Sequence, residues 1–298
     1  MSMGAERARL PDGRWHFHHG PIDLVIGAEG EAASVREAHE AAWQRFEGLL
    51  SELVMELGRL REPIEAGAVQ PPVRGVVARR MWQACHPFRT GFITPMAAVA
   101  GSVAQELVVC YERPGIVRAW VNNGGDIALH LASGASVSIG LYADLSRFDA
   151  KAAAQALDPA HHCALKVDGR FSITHDMPVR GVATSGWRGR SFSLGIADSV
   201  TVLAHRASQA DAAATVIANA VDAQHPGIVR VPAFDLQDDS DLGTRAVTRE
   251  VPPLPPMLVD RALEQGRALA QQCCEDGLID AAVLVCQGRT VSVGSVLA

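Results

Sequence analysis

Residues Thr201 to Val221, with the sequence TVLAHRASQADAAATVIANAV, constrain the fold of this chain more than any other stretch. Thr201 to Ala204 are typical of a short apolar strand, and the alanine-rich remainder is typical of a helix. Ser208 is a good N-cap residue, and Asp211 lies three positions later, where a carboxylate can reach the free N–H groups of the first turn. The stretch therefore predicts a strand that runs into a helix beginning near Ser208.

Asp211 and Thr215 are four residues apart, which places both side-chain oxygens on one face of the predicted helix. Two oxygens so arranged can hold a hard cation, or can lie near a phosphate at the positive end of the helix. The alternative is structural, because Ser208 and Asp211 alone can form a capping box and Thr215 can be an ordinary helix residue. Spacing leaves both interpretations open.

A second run of small residues, MAAVAGSVAQELVVC, follows Pro95. A helix rich in alanine, glycine and serine lets its backbone come close to whatever packs against it. Close packing against a sheet explains the run, and so does close approach of backbone groups to a flat ligand.

The turn chemistry of the chain is concentrated in NNGGD, Asn122 to Asp126, between predicted strands over Ile116 to Val121 and Ile127 to Leu131. Asn-Gly and Gly-Gly pairs are typical of hairpin turns. Glycines also let backbone N–H groups approach a phosphate or a ring edge. Further on, Thr184-Ser185-Gly186 ends another predicted strand and exposes two hydroxyl groups, which suits either a ligand contact or an ordinary strand exit.

The remaining patterns alternate between strands and helices. Predicted elements include a hairpin over residues 12–27 closed near His19-Gly20-Pro21, helices over 31–60 and Leu258 to Cys274, a strand beginning at Ser191, and strands over Ala281 to Cys286 and Thr290 to Val296. The acidic loop Asp235 to Arg245 is interpreted as a solvated connector, and the cluster His161-His162-Cys163 is discounted as a ligand set because neighbouring side chains on a strand face opposite sides. Together these patterns predict an α+β fold of antiparallel sheets packed against long helices.

Composition narrows the function classes. The 298 residues are 48% apolar, enough for one large core, and we expect a single domain with an N-terminal hairpin and scaffold helix (1–72), a motif-bearing core (73–235) and a C-terminal part (236–298). The formal charge of -6 argues against a nucleic-acid partner. The six cysteines form no disulfide or zinc pattern, and no signal peptide or membrane span is evident, so a cytoplasmic location is expected.

Four pieces in order, VNNGGDI (121–127), VATSG (182–186), SVTVLA (199–204) and ADAAAT (210–215), resemble the ApbE-like flavin transferase superfamily. PMAAVAGSVAQE (95–106) and the DSDLG element (239–243) are similar to an uncharacterised branch of that superfamily. Its enzymes use FAD and magnesium to attach FMN to a Thr or Ser of a target protein. The resemblance implies an ApbE-like, T-fold-related architecture and a homodimer.

The resemblance also implies site residues. Asp211 and Thr215 match the side-chain ligands of Mg²⁺, and the backbone carbonyl of Ala100 matches its main-chain ligand. The residues that would line the flavin are Asn122, Gly124, Gly125 and Asp126, and those near its phosphates are Thr184 and Ser185. An oxygen-only ligand set suits magnesium bound to a diphosphate.

The chain departs from the transferases at two places. They carry a lysine in the segment aligned with Ala97 to Ser102, where this chain has Gly101, and a His-x-x-Asp-Pro element, whose His and Pro are absent from SLGIADSV (193–200). We therefore expect a cleft that binds a flavin or nucleotide-like ligand and magnesium for cofactor metabolism, without FMN transfer. The alternatives are a divergent magnesium-dependent FMN transferase or FAD pyrophosphatase, and an accessory protein of one-carbon or pterin cofactor pathways.

Overall fold

A nine-stranded antiparallel sheet forms the centre of the computed structural model, which describes residues 4–141 and 169–294. The strand order is β1-β2-β3-β4-β5-β8-β9-β12-β13, and two further pairs, β6–β7 and β10–β11, lie outside it. The strands are β1 Glu6–Arg9, β2 Trp15–His19, β3 Ile22–Gly30, β4 Ile116–Asn123, β5 Asp126–Leu131, β6 Ser136–Leu141, β7 Gly169–Thr174, β8 Gly181–Ser185, β9 Ser199–Ala204, β10 Val229–Pro232, β11 Ala246–Glu250, β12 Ala281–Cys286 and β13 Arg289–Val293.

Helices cover one face of this sheet. They are α1 Ala32–Met55, α2 Leu57–Leu60, α3 Val76–Cys85, α4 Val99–Val108, α5 Ala207–Ala220 and α6 Pro256–Glu275. Helices α4 and α5 pack together over the central strands, α1 lies over the β2–β3 hairpin, and α6 lies over β12 and β13. The α+β prediction of antiparallel sheet against long helices is confirmed. The division of the chain into three segments of one domain stays a prediction.

The β6–β7 hairpin covers part of the opposite face. Alternation along each strand divides the core, since Ala128 faces α4 whereas Leu129 faces the hairpin. The same alternation on β9 sends Val202 towards α5 and α6 and Leu203 towards the hairpin. Both faces of β9 are thus buried, and all six of its residues are buried.

Helix α5 is buried along most of its length. Glycines on neighbouring elements let the backbones of those elements contact the backbone of α5. A Cβ added at Gly101 of α4 would lie 2.3 Å from the Ala207 carbonyl oxygen, and one at Gly181 of β8 would lie 2.2 Å from the Ala207 nitrogen. Neither position has room for a side chain. Gly101, in the small-residue run after Pro95, is thus packed closely against helix α5, whereas approach of that run to a flat ligand stays a prediction.

The predicted capping box is wrong. Helix α5 begins at Ala207 with Arg206 as N-cap, and the Arg206 side chain does not cap it, whereas Gln105 Oε1 of α4 accepts from the Ser208 N–H at 3.3 Å. The Ser208 hydroxyl instead donates to Gln105 Oε1 of α4 at 2.8 Å. Asp211 also turns away from its own helix and accepts a hydrogen bond from Gly101. Both side chains thus bond to α4 instead of capping their own helix. A sequence pattern within one helix cannot show a contact with another helix.

Other boundaries differ in detail. The NNGGD turn is shorter than predicted, because β4 runs to Asn123 and β5 starts at Asp126, which leaves Gly124 and Gly125 as the two turn residues, both with positive φ. The strand predicted from Ser191 is wrong, since residues 191–198 form no strand. The His161-His162-Cys163 cluster lies outside the described residues.

Candidate functional site

A cleft of two adjoining lobes lies between α4, α5 and the β4–β5 hairpin. The hairpin lobe, about 310 Å³, is bounded by Gly124, Thr184 and Ser185. The loop lobe, about 280 Å³, is bounded by Phe92 and the acidic loop around Asp241. The lobes share walls, and the residues common to both are Met96, Val99, Ala100, Asp126, Arg190, Ser191, Asp211 and Thr215. The structure thus brings the three predicted metal ligands together at the junction of the lobes.

Asp211 reaches this junction from the first half of α5. Its Oδ2 accepts a hydrogen bond of 2.8 Å from the backbone N–H of Gly101, in the first turn of α4. Helix α4 has no side-chain cap of its own, so Asp211 satisfies one of its orphan N–H groups from another helix. This capping contact fixes the carboxylate at the lobe junction, where a structural role and a ligand role are compatible.

Asp126 faces the same junction from the start of β5. Its Oδ1 accepts a hydrogen bond of 3.2 Å from the backbone N–H of Thr184 on the adjacent strand β8. Burial raises the pKa of Asp126 to about 7, against the opposing effect of that hydrogen bond. Asp126 was expected beside a flavin, and its position opposite Asp211 is a feature that spacing alone did not reveal.

The two carboxylates repel each other. Burial, and after it the negative charge of Asp126, raises the pKa of Asp211 well above its usual range, although the N–H groups of Gly101 and Ala100 favour the charged form. Two carboxylates without a nearby cation are an unfavourable arrangement for a protein on its own. A bound cation would reverse the sign of this interaction.

The donor set at the junction consists of oxygen atoms and fits magnesium. Beside the two carboxylates lie the Thr215 hydroxyl, which has no hydrogen-bond partner within residues 4–141 and 169–294, and Ala100. The Ala100 carbonyl lies in α4 and accepts, besides its place in the helix, a hydrogen bond of 3.2 Å from Asn123 Nδ2, so a metal would share this oxygen with those donors. In the described parts of the chain no group of three or more His, Cys, Asp or Glu side chains is placed to hold a metal. Hard oxygen ligands with room for water match Mg²⁺ rather than zinc.

The glycine hairpin contributes to the cleft differently from the prediction. Asn122 Oδ1 accepts a hydrogen bond of 2.8 Å from Gly125 N–H and holds the turn. Asn123, the next residue along β4, lines the hairpin lobe together with Gly124. Neighbouring strand residues face opposite sides, so only one of the two asparagines reaches the cleft. Neither Asn122 nor Gly125 is among the residues that line it.

Thr184 and Ser185 both line the hairpin lobe. The Thr184 hydroxyl lies 2.9 Å from that of Thr201 on β9, which occupies one of its hydrogen-bonding positions. The Ser185 hydroxyl has no partner among the described residues. Ser185 is thus the freer of the two hydroxyls, and a role of either towards phosphates stays a prediction.

Arg190 is a cleft residue that sequence reasoning missed. It lines both lobes and lies against the hairpin, since a Cβ added at Gly124 would meet its Nη1 at 3.1 Å. The Arg190 guanidinium has no ion-pair or hydrogen-bond partner in the described part of the chain. A free guanidinium beside a glycine turn is suited to a phosphate. The only signal for it was its place after Thr184-Ser185-Gly186, in a loop without periodicity.

The acidic loop closes the outer side of the loop lobe and is more than a solvated connector. Asp239 forms an ion pair of 2.6 Å with Arg61, and Asp241 accepts a hydrogen bond from Thr94. Arg245 lies over the ring of Phe92 at 3.4 Å from its centroid. These contacts fasten the loop to the residue after α2 and to the segment that precedes α4, so the loop forms a wall of the lobe.

Two glycines explain the departures from the transferase motifs. Gly101 is pressed against Ala207 and Asp211, so no lysine can occupy its place without moving α5. The His of a His-x-x-Asp motif ending at Asp198 would fall on Gly195, where an added Cβ would lie 2.2 Å from the Ala218 carbonyl oxygen. Both positions are filled by the backbone of α5 itself.

No helix in the described portion of the chain is both long and apolar enough to cross a membrane. The cytoplasmic location and the homodimer stay predictions.

Comparison with known proteins finds relatives that share about a third of their residues with this chain. The UPF0280 protein of Methanopyrus kandleri is 37% identical over 164 residues, 55% of this chain and 56% of that protein. The UPF0280 protein of Methanosphaerula palustris is 35% identical over 228 residues, 74% of this chain and 81% of its own length. The chain thus spans about half the length of the first of these relatives and most of the second.

A solved structure, the apo form of the flavinyl transferase ApbE of Pseudomonas stutzeri, aligns with 98% of this chain and 94% of its own, at 14% identity and a TM-score of 0.46. The family model described as "AbpE bacteria" matches residues 7–292. Because that match covers nearly the entire chain, the protein belongs to this bacterial ApbE-like family.

Proposed function

We propose that the protein binds FAD, or a closely related dinucleotide, together with Mg²⁺ in the two-lobed cleft, and that it serves cofactor metabolism without transferring FMN. The observation that carries the proposal is the convergence of Asp126 and Asp211, from different elements, on the junction of the lobes. Each carboxylate is fixed by a backbone N–H, and neither has a cationic side chain as partner among the described residues. Such a pair requires a cation to be stable in its charged form.

The shape of the cleft suits a ligand of two parts joined by an anionic bridge. Each lobe, at about 280 and 310 Å³, has the size of a pocket for one ring system. The apolar side chains Val99 and Val103 line the hairpin lobe, and Phe92 and Val216 line the loop lobe. A diphosphate between two ring systems would then lie at the carboxylate pair that would hold the metal, with Arg190 lining the same junction.

Residues already placed at the junction would hold the metal: Asp126, Asp211, the Thr215 hydroxyl and the Ala100 carbonyl. Bound Mg²⁺ would neutralise the diphosphate and polarise its phosphorus–oxygen bonds. The chain's own residues supply position: Gly101 N–H orients Asp211, and Thr184 N–H orients Asp126. Arg190 would stabilise phosphate charge from the hairpin side.

The expectation that the protein does not transfer FMN rests on Gly101 and Gly195. The two side chains that the transferases carry there have no space in this chain, because α5 fills both positions. The location of the carboxylate pair at the anionic junction nevertheless favours a second candidate, a magnesium-dependent activity on the FAD diphosphate. In hydrolysis, water would attack the FAD diphosphate and release FMN and AMP. In a divergent FMN transfer, a Thr or Ser hydroxyl of a target protein would attack instead and AMP would leave.

Calorimetric titration with FAD, with and without Mg²⁺, tests the binding proposal. We expect saturable binding that requires Mg²⁺ and that is lost in Asp211→Asn. The matched control is Asp176→Asn, since Asp176 is exposed and lies outside the cleft. Mg²⁺-independent binding, no binding, or wild-type binding by Asp211→Asn would contradict the proposal.

The same samples separate the two candidates. Release of AMP from FAD by the wild type, lost in Asp211→Asn, would establish the second candidate. FAD that stays intact over many hours in a saturated sample would establish binding without cleavage.

Arg190→Ala gives an independent prediction. We expect the dissociation constant for FAD to rise about tenfold, because one charge-assisted contact to phosphate is lost, with Mg²⁺ still required. Arg190→Lys should recover part of the affinity. An unchanged dissociation constant in Arg190→Ala would remove Arg190 from the site.

A further inference from the structure

A second cavity, of about 730 Å³, lies at the opposite end of the α4–α5 pair from the two-lobed cleft. Its walls are the last turn of α4, the end of β5 and the connection between β9 and α5. The charged and titratable side chains that line it are Arg113, Arg180, Arg206, His130, His205 and Glu112. The formal charge of the chain is -6, yet this cavity has three arginines against one carboxylate.

From this lining we infer that the cavity is a binding site for a phosphate group, carried by a small molecule and separate from the FAD cleft. The inference does not depend on the proposed function, because the cavity shares no lining residue with the two lobes. Among the charged groups that line the cavity, only Glu112 is acidic. A phosphate is the ligand chemistry that arginine forks and helix N-termini recognise together.

Arg206 is the first element of the site. It is the N-cap residue of α5, and its guanidinium has no ion-pair or hydrogen-bond partner among the residues described here. The next residue, Ala207, also lines the cavity, and its backbone N–H has no acceptor within the described ranges. An uncompensated guanidinium and the N-terminus of a 14-residue helix, where Gln105 Oε1 accepts from one backbone N–H, that of Ser208 at 3.3 Å, thus present positive charge to the same space.

Arg180 adds fixed charge without a carboxylate partner. Its Nη1 donates to the carbonyls of Met177 and Val179, and its Nη2 donates to the carbonyl of His175. Neutral carbonyl partners hold the side chain in place but leave its net charge uncancelled. Arg180 is therefore a rigid source of positive potential in the cavity wall.

His130 supplies an observation independent of the helix terminus. Its Nε2 is shielded from solvent and has no hydrogen-bond partner among residues 4–141 and 169–294. A buried ring nitrogen without a partner costs free energy, and a ligand oxygen in the cavity would satisfy it. His205, by contrast, already pairs with Asp280 at 3.4 Å.

The apolar part of the wall indicates a molecule larger than inorganic phosphate. Val108, Val109, Ile116 and Leu129 line the cavity beside the charged groups, and Val109 is 52% exposed. An organic phosphate would cover this surface with its body while its phosphate contacts Arg206. Inorganic phosphate would use only the charged part.

Titration of the purified full-length protein with inorganic phosphate and with phenyl phosphate, both without Mg²⁺, tests the site. We expect saturable binding of both probes, at least about threefold tighter for phenyl phosphate because its ring buries apolar surface. Equal affinities would assign the site to free phosphate. Absence of saturable binding by either probe would overturn the inference.

Variants locate the binding. Arg206→Ala should weaken phenyl phosphate about tenfold, because the free guanidinium fork is removed, and Glu112→Gln should strengthen it a few-fold, because the one repelling carboxylate is neutralised. Arg249→Ala, an exposed arginine outside the cavity, controls for net charge. Asp211→Asn controls for the FAD cleft. Equal weakening by Arg206→Ala and Arg249→Ala, or a change in Asp211→Asn, would place the anion elsewhere and contradict the inference.

Discussion

At the scale of single residues, Asp211 has two structural roles. It caps α4 through Gly101 N–H, and it stands opposite Asp126 at the junction of the lobes. The cap on α4 stabilises the fold. The position opposite Asp126 lowers the stability of the fold while no cation is bound, because two partly buried carboxylates repel each other. A residue under such a conflict is a good indicator of function.

The conflict gives the first prediction, for Asp211→Asn. The amide keeps an oxygen for Gly101 N–H and removes the repulsion, so the variant without metal should be as stable as wild type or more stable by up to about 1 kcal/mol, roughly 2–4 °C in Tm. It should also lose the thermal shift that Mg²⁺ gives the wild type. Asp176→Asn should change neither quantity. A fall of several degrees in Tm without metal would show that the capping charge matters more than the repulsion.

Residue-level prediction from the sequence succeeded where a periodic rule applied. The four-residue spacing placed Asp211 and Thr215 on one face of α5, and both line the cleft. Spacing could not show that Asp126 meets Asp211, because that depends on how β5 packs under α5. Arg190 was missed because a loop has no periodicity from which the direction of a side chain can be read.

At the scale of elements, the contact between α4 and α5 positions the site. Gly101→Ala should destabilise the protein by about 1–3 kcal/mol, because its Cβ would overlap the Ala207 carbonyl and approach Asp211. Gly48→Ala is the matched control, since Gly48 is an exposed residue of α1 with free space around it, and a gain of about 0.5–1 kcal/mol is expected there. Denaturant unfolding measures both. Equal stability of the two variants would refute the close packing of α4 on α5.

The docking of α1 gives a pH prediction. Burial, and after it the charge of Arg9, lowers the pKa of His39 from 6.5 to about 4, and its Nδ1 lies 2.8 Å from the Tyr111 hydroxyl. The unfolded chain binds a proton here more readily than the folded one, so the stabilisation is complete above pH 6.5 and is lost as the pH falls towards 4. This group alone should reduce the free energy of unfolding by about 3 kcal/mol over that range.

His39→Gln should flatten the pH dependence of unfolding between pH 6.5 and 4, as measured by denaturant titrations at several pH values. Tyr111→Phe should retain most of it, because burial rather than the hydroxyl is the main cause of the shift. If His39→Gln keeps the slope of the wild type, another group causes the acid sensitivity.

Elements were predictable when their signals were local. The β2–β3 hairpin, α1, α6 and the final hairpin follow from alternation, helical period and turn residues, and they occur close to the predicted positions. The strand expected from Ser191 does not form. The backbone there accommodates α5 instead, with Gly195 against Ala218, and this tertiary contact has no sequence signal of its own.

At the scale of the whole molecule, the cleft exists because distant parts of the chain converge. The walls come from the segment before α4, the β4–β5 hairpin, β8, α5 and the acidic loop. Strand order determines this convergence. Strand β5 pairs directly with β8, although β6 and β7 lie between them in the sequence, and β9 pairs with β12. Sequence motifs in a fixed order indicated that these pieces belong together, but the sheet order that makes them neighbours needed the structure.

A crystal structure of the protein with FAD and Mn²⁺ would show whether metal and diphosphate meet at the two carboxylates, because Mn²⁺ replaces Mg²⁺ at oxygen sites and is visible by anomalous scattering. We expect one anomalous peak between Asp126 and Asp211, with the FAD diphosphate beside it and one ring system in each lobe. FAD bound at another place, or FAD in the cleft with no metal peak at the two carboxylates, would contradict it.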